Sequence, residues 1–134
     1  RFGIFTGIAR AQSVEALVSA FRHIADLLPI DLFVEAGAKE ASESRRCAAG
    51  GAFAAVAFEA NPHTYRRFVE AVTDTGVRYE HLALSDAIGS ITFHVRKSAS
   101  EKPIADGQGS LLVRPDNTPG YVEESVDAVT LDSY

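Results

Sequence analysis

The chain has no methionine, not even at position 1, and a single cysteine, Cys47. A lone cysteine excludes an internal disulfide and fits a reducing, cytoplasmic compartment. The missing initiator reads as the mark of a processed or trimmed piece of a longer protein. No apolar run approaches the roughly 20 residues needed to span a bilayer. The mixed start Arg1-Phe2-Gly3-Ile4-Phe5 leads into no apolar signal segment, so no membrane role is expected. Basic charge is scarce as well: 13 lysines and arginines face 18 acidic residues, for a net charge of −5. That balance excludes a general nucleic-acid binder, which needs a basic face. What the chain does have is 134 residues with 46% hydrophobic content, enough for one globular domain with its own core.

The rest is organised around Asp31 to Pro62, DLFVEAGAKEASESRRCAAGGAFAAVAFEANP. It reads as strand, glycine turn, helix, strand. The first strand covers 31–36 and the second about 54–59, and each closes on a glutamate, Glu35 and Glu59. In a parallel βαβ unit both strand ends lie on one edge of the sheet, where ligands bind. Two carboxylates would then face one crevice beside the bare turn at Gly37. Between the strands, Ser42 to about Ala49 forms a short helix stopped by Gly50-Gly51.

Upstream, Val14, Leu17, Val18, Phe21, Ile24, Leu27 and Leu28 recur at helical spacing, which predicts an amphipathic helix over 12–28 with Ser13 as its cap; residues 1–10 show no period. Downstream, Asn61 is placed to cap a helix with Pro62 at its first position, and Thr75-Gly76 ends it. Residues 77–84 read as a third strand ending at Ser85-Asp86, and Ser90 to Val95 as an antiparallel extension. Residues 96–121 are polar and rich in turn formers, a long loop with a short strand at Ser110 to Val113; Val126 to Leu131 alternates like a strand. The histidines read as surface or packed side chains, Cys47 as a buried inert thiol, and no metal is expected.

The chemistry of the turn is informative by what it omits. A dinucleotide fingerprint, G-x-G-x-x-G, would supply three glycines, whereas here Gly37 stands without them and Ala41 follows. This disfavours a nicotinamide oxidoreductase. Glu59, at the end of the second strand, sits where an α/β nucleotide fold places the carboxylate that binds ribose hydroxyls. The plainer alternative is a strand-end glutamate paired with Arg66 or Arg67.

The blocks Glu35-Ala36-Gly37-Ala38, Phe58-Glu59-Ala60-Asn61-Pro62 with Tyr65, Leu82-Ala83-Leu84-Ser85-Asp86 with Gly89 and Phe93, Gly109-Ser110-Leu111, and Val129-Thr130-Leu131-Asp132 are similar in order and spacing to the FkbM-type family of S-adenosylmethionine-dependent methyltransferases. The resemblance runs from about residue 31 to residue 134. It implies a class I methyltransferase fold: a three-layer, Rossmann-like α/β architecture with a mainly parallel sheet, incomplete at its C-terminus. The segments would be an N-terminal helical part at 1–30, a cofactor-binding core at 31–95, a long loop at 96–125 and the start of a further strand at 126–134. It implies S-adenosylmethionine as cofactor and O-methylation of a hydroxyl on a small molecule or sugar. By the same resemblance Glu35, Gly37 and Ala38 would hold the methionine part, Glu59 the ribose, and Ser85 and Asp86 the adenine, with Asn61 also among the cofactor-binding residues. No catalytic residue is assigned. The family pattern has Asp where Glu35 stands, Asn where Lys39 stands and Gly where Ala41 stands. Its acidic motif resembling I-D-V-E-G would come after residue 134, and the open sheet edge would be covered by that continuation or by a second copy. The rival reading is a degenerate relative serving as a binding or structural domain.

Overall fold

The computed structural model describes residues 7–29, 31–51, 54–98, 109, 111 and 120–134. The chain divides into two units, 1–30 and 31–134. The first holds one helix, α1, Gly7–Leu27. It begins earlier than the hydrophobic period indicates, because Ala9, Arg10, Ala11 and Gln12 are all strong helix formers and need no apolar stripe to extend it. Ser13 is therefore an internal residue of the helix and not its cap. Leu17, Ile24 and Leu27 stand exposed on it. No helix among the described residues is long and apolar enough to cross a membrane.

The second unit is of the α/β class. It opens with β1 (Leu32–Ala36), α2 (Ser42–Ala49), β2 (Ala54–Phe58), α3 (Pro62–Thr73) and β3 (Arg78–Glu80). The three strands form a parallel sheet in the order β1-β2-β3. The register sets Ala36 beside Phe58, and Phe58 beside Glu80, so the carboxyl ends of all three strands come level. Alternation sends Phe33, Ala55, Ala57 and Tyr79 to one face. There they meet Ala48 of α2 and Tyr65, Phe68, Val69 and Val72 of α3 in one core. Alanines at 55 and 57 keep that face shallow, which lets both helices approach the sheet closely.

The expected single strand over 77–84 is instead two short strands in different sheets. β3 ends at Glu80, His81 and Leu82 intervene, and β4 (Ala83–Leu84) joins β5 (Gly89–Arg96) and β6 (Tyr121–Val129). That second sheet has the order β4-β6-β5, with β4 parallel and β5 antiparallel to β6. Its own core is Ala83, Phe93, Val95, Val126 and Ala128. Gly109 lies so close to the Phe93 ring that a Cβ there would collide with it. β6 is longer than the alternating run 126–131, and Leu131–Ser133 forms a 3-10 turn after it. The short strand expected at 110–113 falls outside the described residues.

Candidate functional site

The five-residue turn between β1 and α2 is where the sequence and the backbone make unusual demands on each other. Gly37 has φ 66°, Lys39 φ 50° and Ala41 φ 50°. Glycine enters that left-handed region freely, but for lysine and alanine it is costly. Ala41 is fully buried in the core shared by α2 and α3. It stands at the N-cap position of α2 and has no side-chain acceptor to offer the helix.

Glu35 supplies what Ala41 lacks. Its carboxylate accepts from the Ser44 N–H at 2.9 Å and from the Ser44 hydroxyl at 2.7 Å. Ser44 is fully buried in the first turn of α2. An acidic group from the preceding strand thus caps the helix and meets the positive end of its dipole.

Glu59 lies just past β2, with 4% of its surface exposed. One oxygen accepts from the Lys39 N–H at 2.8 Å and the other from the Asn61 N–H at 2.7 Å. The Ala38 N–H reaches the Phe58 carbonyl at 3.0 Å. The turn after β1 is therefore laid directly against the end of β2. Burial raises the Glu59 pKa, and the bonds from Asn61 and Lys39 offset only part of that rise. The rival pairing with Arg66 or Arg67 is not the one made; the partners are backbone N–H groups.

Tyr79, in β3, donates its hydroxyl to the Lys39 carbonyl. Its ring stacks on Tyr65 at 5.1 Å between centroids, and Tyr65 stacks on His81 at 4.9 Å. Burial pushes the Tyr79 pKa well up, and the neighbouring charges of Glu59, Glu35 and Glu40 add to the rise. The Lys39 ammonium lies 3.3 Å from the Glu40 carboxylate, so its charge is partly offset at the outer side of the turn.

Asn61 acts as a cap. Its side-chain oxygen accepts from the N–H groups of His63 at 2.9 Å and Thr64 at 3.3 Å, with Pro62 opening α3. The last two candidates belong to the second sheet. The Ser85 N–H bonds the Val129 carbonyl at 3.0 Å, and its hydroxyl donates to the exposed Asp86 at 3.2 Å. Glu35, Gly37, Ala38, Glu59 and Asn61 thus gather at the carboxyl ends of β1 and β2, while Ser85 and Asp86 are fastened to the end of β4 and β6.

Ser44 and Tyr79 complete this arrangement, and neither stands out in the sequence. Ser44 reads as one residue of a short polar helix, and Tyr79 as one more large residue of an apolar run. Among the described residues, the Thr64 hydroxyl and His81 Nε2 are buried without a hydrogen-bond partner. Burial lowers the His81 pKa, which favours the neutral ring.

Chemically, the site offers carboxylates and a turn in which the Ala38, Lys39 and Ala41 N–H groups are committed to the protein's own acceptors. It can take a ligand with cationic or hydroxyl groups more readily than one with phosphates, which would need those N–H groups. Comparison with protein-family models, with curated proteins and with solved structures finds no match to this chain.

Proposed function

We propose that this chain is the cofactor-binding part of an S-adenosylmethionine-dependent methyltransferase of class I architecture, acting on a hydroxyl of a small molecule or sugar. The observation that carries the reading is the bond from the Lys39 N–H to Glu59 at 2.8 Å. It puts the glycine turn and the strand-end carboxylate side by side at the edge where α/β folds take ligands.

The residues present suit the cofactor's chemistry. A carboxylate has about four lone-pair sites, and the two N–H groups on Glu59 leave the others for a vicinal diol. The turn lacks a phosphate cradle, and the cofactor has no phosphate. Glu35 and the Gly37-Ala38 turn would lie against its methionine part, Glu59 against the ribose, and Ser85 and Asp86 against the adenine. When bound, S-adenosylmethionine supplies an electrophilic methyl group for transfer to oxygen. The chain's own contribution is positioning, since fixed geometry is the main lever for such a transfer. A cytoplasmic location accords with this reading. Among the described residues β1 is an edge of its sheet, and in this reading a further part of the fold or a second copy would cover it.

A second reading, a degenerate domain without catalysis, is favoured by the local duties of the acids: Glu35 caps α2, and Glu59 is nearly buried between two turns. Calorimetry on the full-length protein with S-adenosylmethionine, S-adenosylhomocysteine and NAD separates the two. Binding of the first two alone, lost in Glu59→Ala while Glu70→Ala on the exposed side of α3 leaves it intact, is the expected result. Silence towards all three overturns the methyltransferase reading.

A further inference from the structure

We propose that Tyr79 is a positioning residue: with Glu59 it holds the two peptide groups that flank the Lys39 Cα, and so keeps the β1–α2 turn in a left-handed shape that its side chains resist. The inference rests on the methyltransferase reading only where it concerns the cofactor.

The resistance comes from residue type. A non-glycine residue in the left-handed region is disfavoured by roughly 5- to 30-fold. Lys39 and Ala41 both lie there, at φ 50° each, within three positions of one another. Left alone, such a turn would relax toward ordinary backbone angles and pull away from the strand ends. Strained backbone persists where its surroundings over-determine it.

Here the surroundings do so at one peptide group after another. The Lys39 N–H is held by Glu59, from the end of β2, at 2.8 Å. The Lys39 carbonyl is held by the Tyr79 hydroxyl, from β3. The two grips come from adjacent strands of one sheet, so they cannot drift apart. Tyr79 is 5% exposed and its ring is stacked on Tyr65 of α3, which fixes the direction of the hydroxyl. The phenol stays protonated across neutral pH, because burial and the nearby carboxylates oppose its ionisation, so it remains a donor. The Ala41 N–H closes the turn onto the Ala38 carbonyl at 2.6 Å.

A plain packing role for Tyr79 predicts something different from a grip, and a suppressor tells them apart. Tyr79→Phe keeps the ring and removes only the hydroxyl. If the hydroxyl holds a strained lysine, then replacing that lysine with glycine removes the need for it. Amide hydrogen exchange by NMR on the full chain is the readout. In Tyr79→Phe, protection at Lys39 and Ala41 falls by roughly three- to tenfold, while amides in the middle of α3 keep theirs. In the double variant Tyr79→Phe/Lys39→Gly, protection at Ala41 returns to the wild-type value. Affinity for S-adenosylhomocysteine, by calorimetry, falls and recovers in the same order.

Unchanged protection of the turn in Tyr79→Phe overturns the proposal. So does a loss that spreads through α3 and that Lys39→Gly fails to restore, since this is what lost packing would produce. A wild-type protein that binds neither S-adenosylmethionine nor S-adenosylhomocysteine, yet gives the expected exchange pattern, supports the grip and overturns the cofactor assignment alone.

Discussion

At the scale of the residue, Glu59 carries the sharpest constraint. It is nearly buried, and each oxygen takes a backbone N–H. Its folded pKa lies above the ordinary value of 4.5 because burial penalises the charge. Folding therefore favours the protonated form. The stability tied to this group is fully present below the ordinary glutamate range and is lost as the pH rises through the raised folded value. Glu59→Gln removes that dependence and adds a cost. An amide offers one acceptor and one donor group, so its NH2 must face either the Lys39 or the Asn61 N–H, donor against donor. The expected loss at neutral pH is about 1–3 kcal/mol. Urea titrations of both proteins at about pH 7 and at a pH within the ordinary glutamate range check the sign, because the wild type gains on the variant on the way down. The gap between them widens at the lower pH; a gap that narrows contradicts the assignment of the shift to burial.

At the scale of the element, the helices were legible where their signals are local. The Asn61-Pro62 pair and the Thr75-Gly76 stop bracket α3 (Pro62–Thr73), and Ser42 and Gly50 bracket α2 (Ser42–Ala49). Asn61→Ala is expected to cost about 1 kcal/mol, with Asn61→Ser keeping most of it, since serine also accepts from the first-turn N–H groups. Thermal unfolding of the three proteins measures this, and equal loss in both variants would mean the cap is not what Asn61 contributes. Strands were less legible because their partners are distant. Nothing in VRYEHLAL marks His81-Leu82 as the place where the chain leaves one sheet for another. β6 begins at Tyr121, ahead of its clean alternation, because Glu124 occupies a core-side position and breaks the pattern. Its carboxylate is satisfied from outside the sheet, by His63 Nε2 at 3.2 Å. The site divides the same way. The acids at strand ends could be read directly from the residues. Ser44 and Tyr79 could not, since the first matters through a contact nine positions away and the second through one 40 positions away.

At the scale of the second unit as a whole, two sheets must be kept in register for Ser85 and Asp86 to serve the same ligand as Glu59. Among the described residues the His63–Glu124 pair is one tie between them and Tyr134 is another. β6 runs into a 3-10 turn fastened by Thr130, whose hydroxyl accepts from the Ser133 N–H at 3.1 Å and whose carbonyl accepts from the Ser133 hydroxyl at 2.8 Å. That turn delivers Tyr134 to the first sheet. Its ring sets an edge against Phe58 at 4.8 Å, the Arg78 guanidinium sits over it at 4.8 Å, and its hydroxyl donates to Glu80 at 2.8 Å. Burial and that bond hold its pKa up to about 12. Tyr134→Phe keeps both ring contacts and is expected to cost about 1 kcal/mol or less. Tyr134→Ala removes the cover from Phe58 and is expected to cost about 2 kcal/mol, below the range for a fully buried aromatic because Tyr134 is partly exposed. Chemical denaturation gives the two values. If the alanine variant unfolds within a few tenths of a kcal/mol of the wild type, Tyr134 is not a tie between the sheets. The coupling that brings the adenine-side candidates toward the ribose-side carboxylate would then rest on the His63–Glu124 pair and on Ala60, which packs against the core of the second sheet.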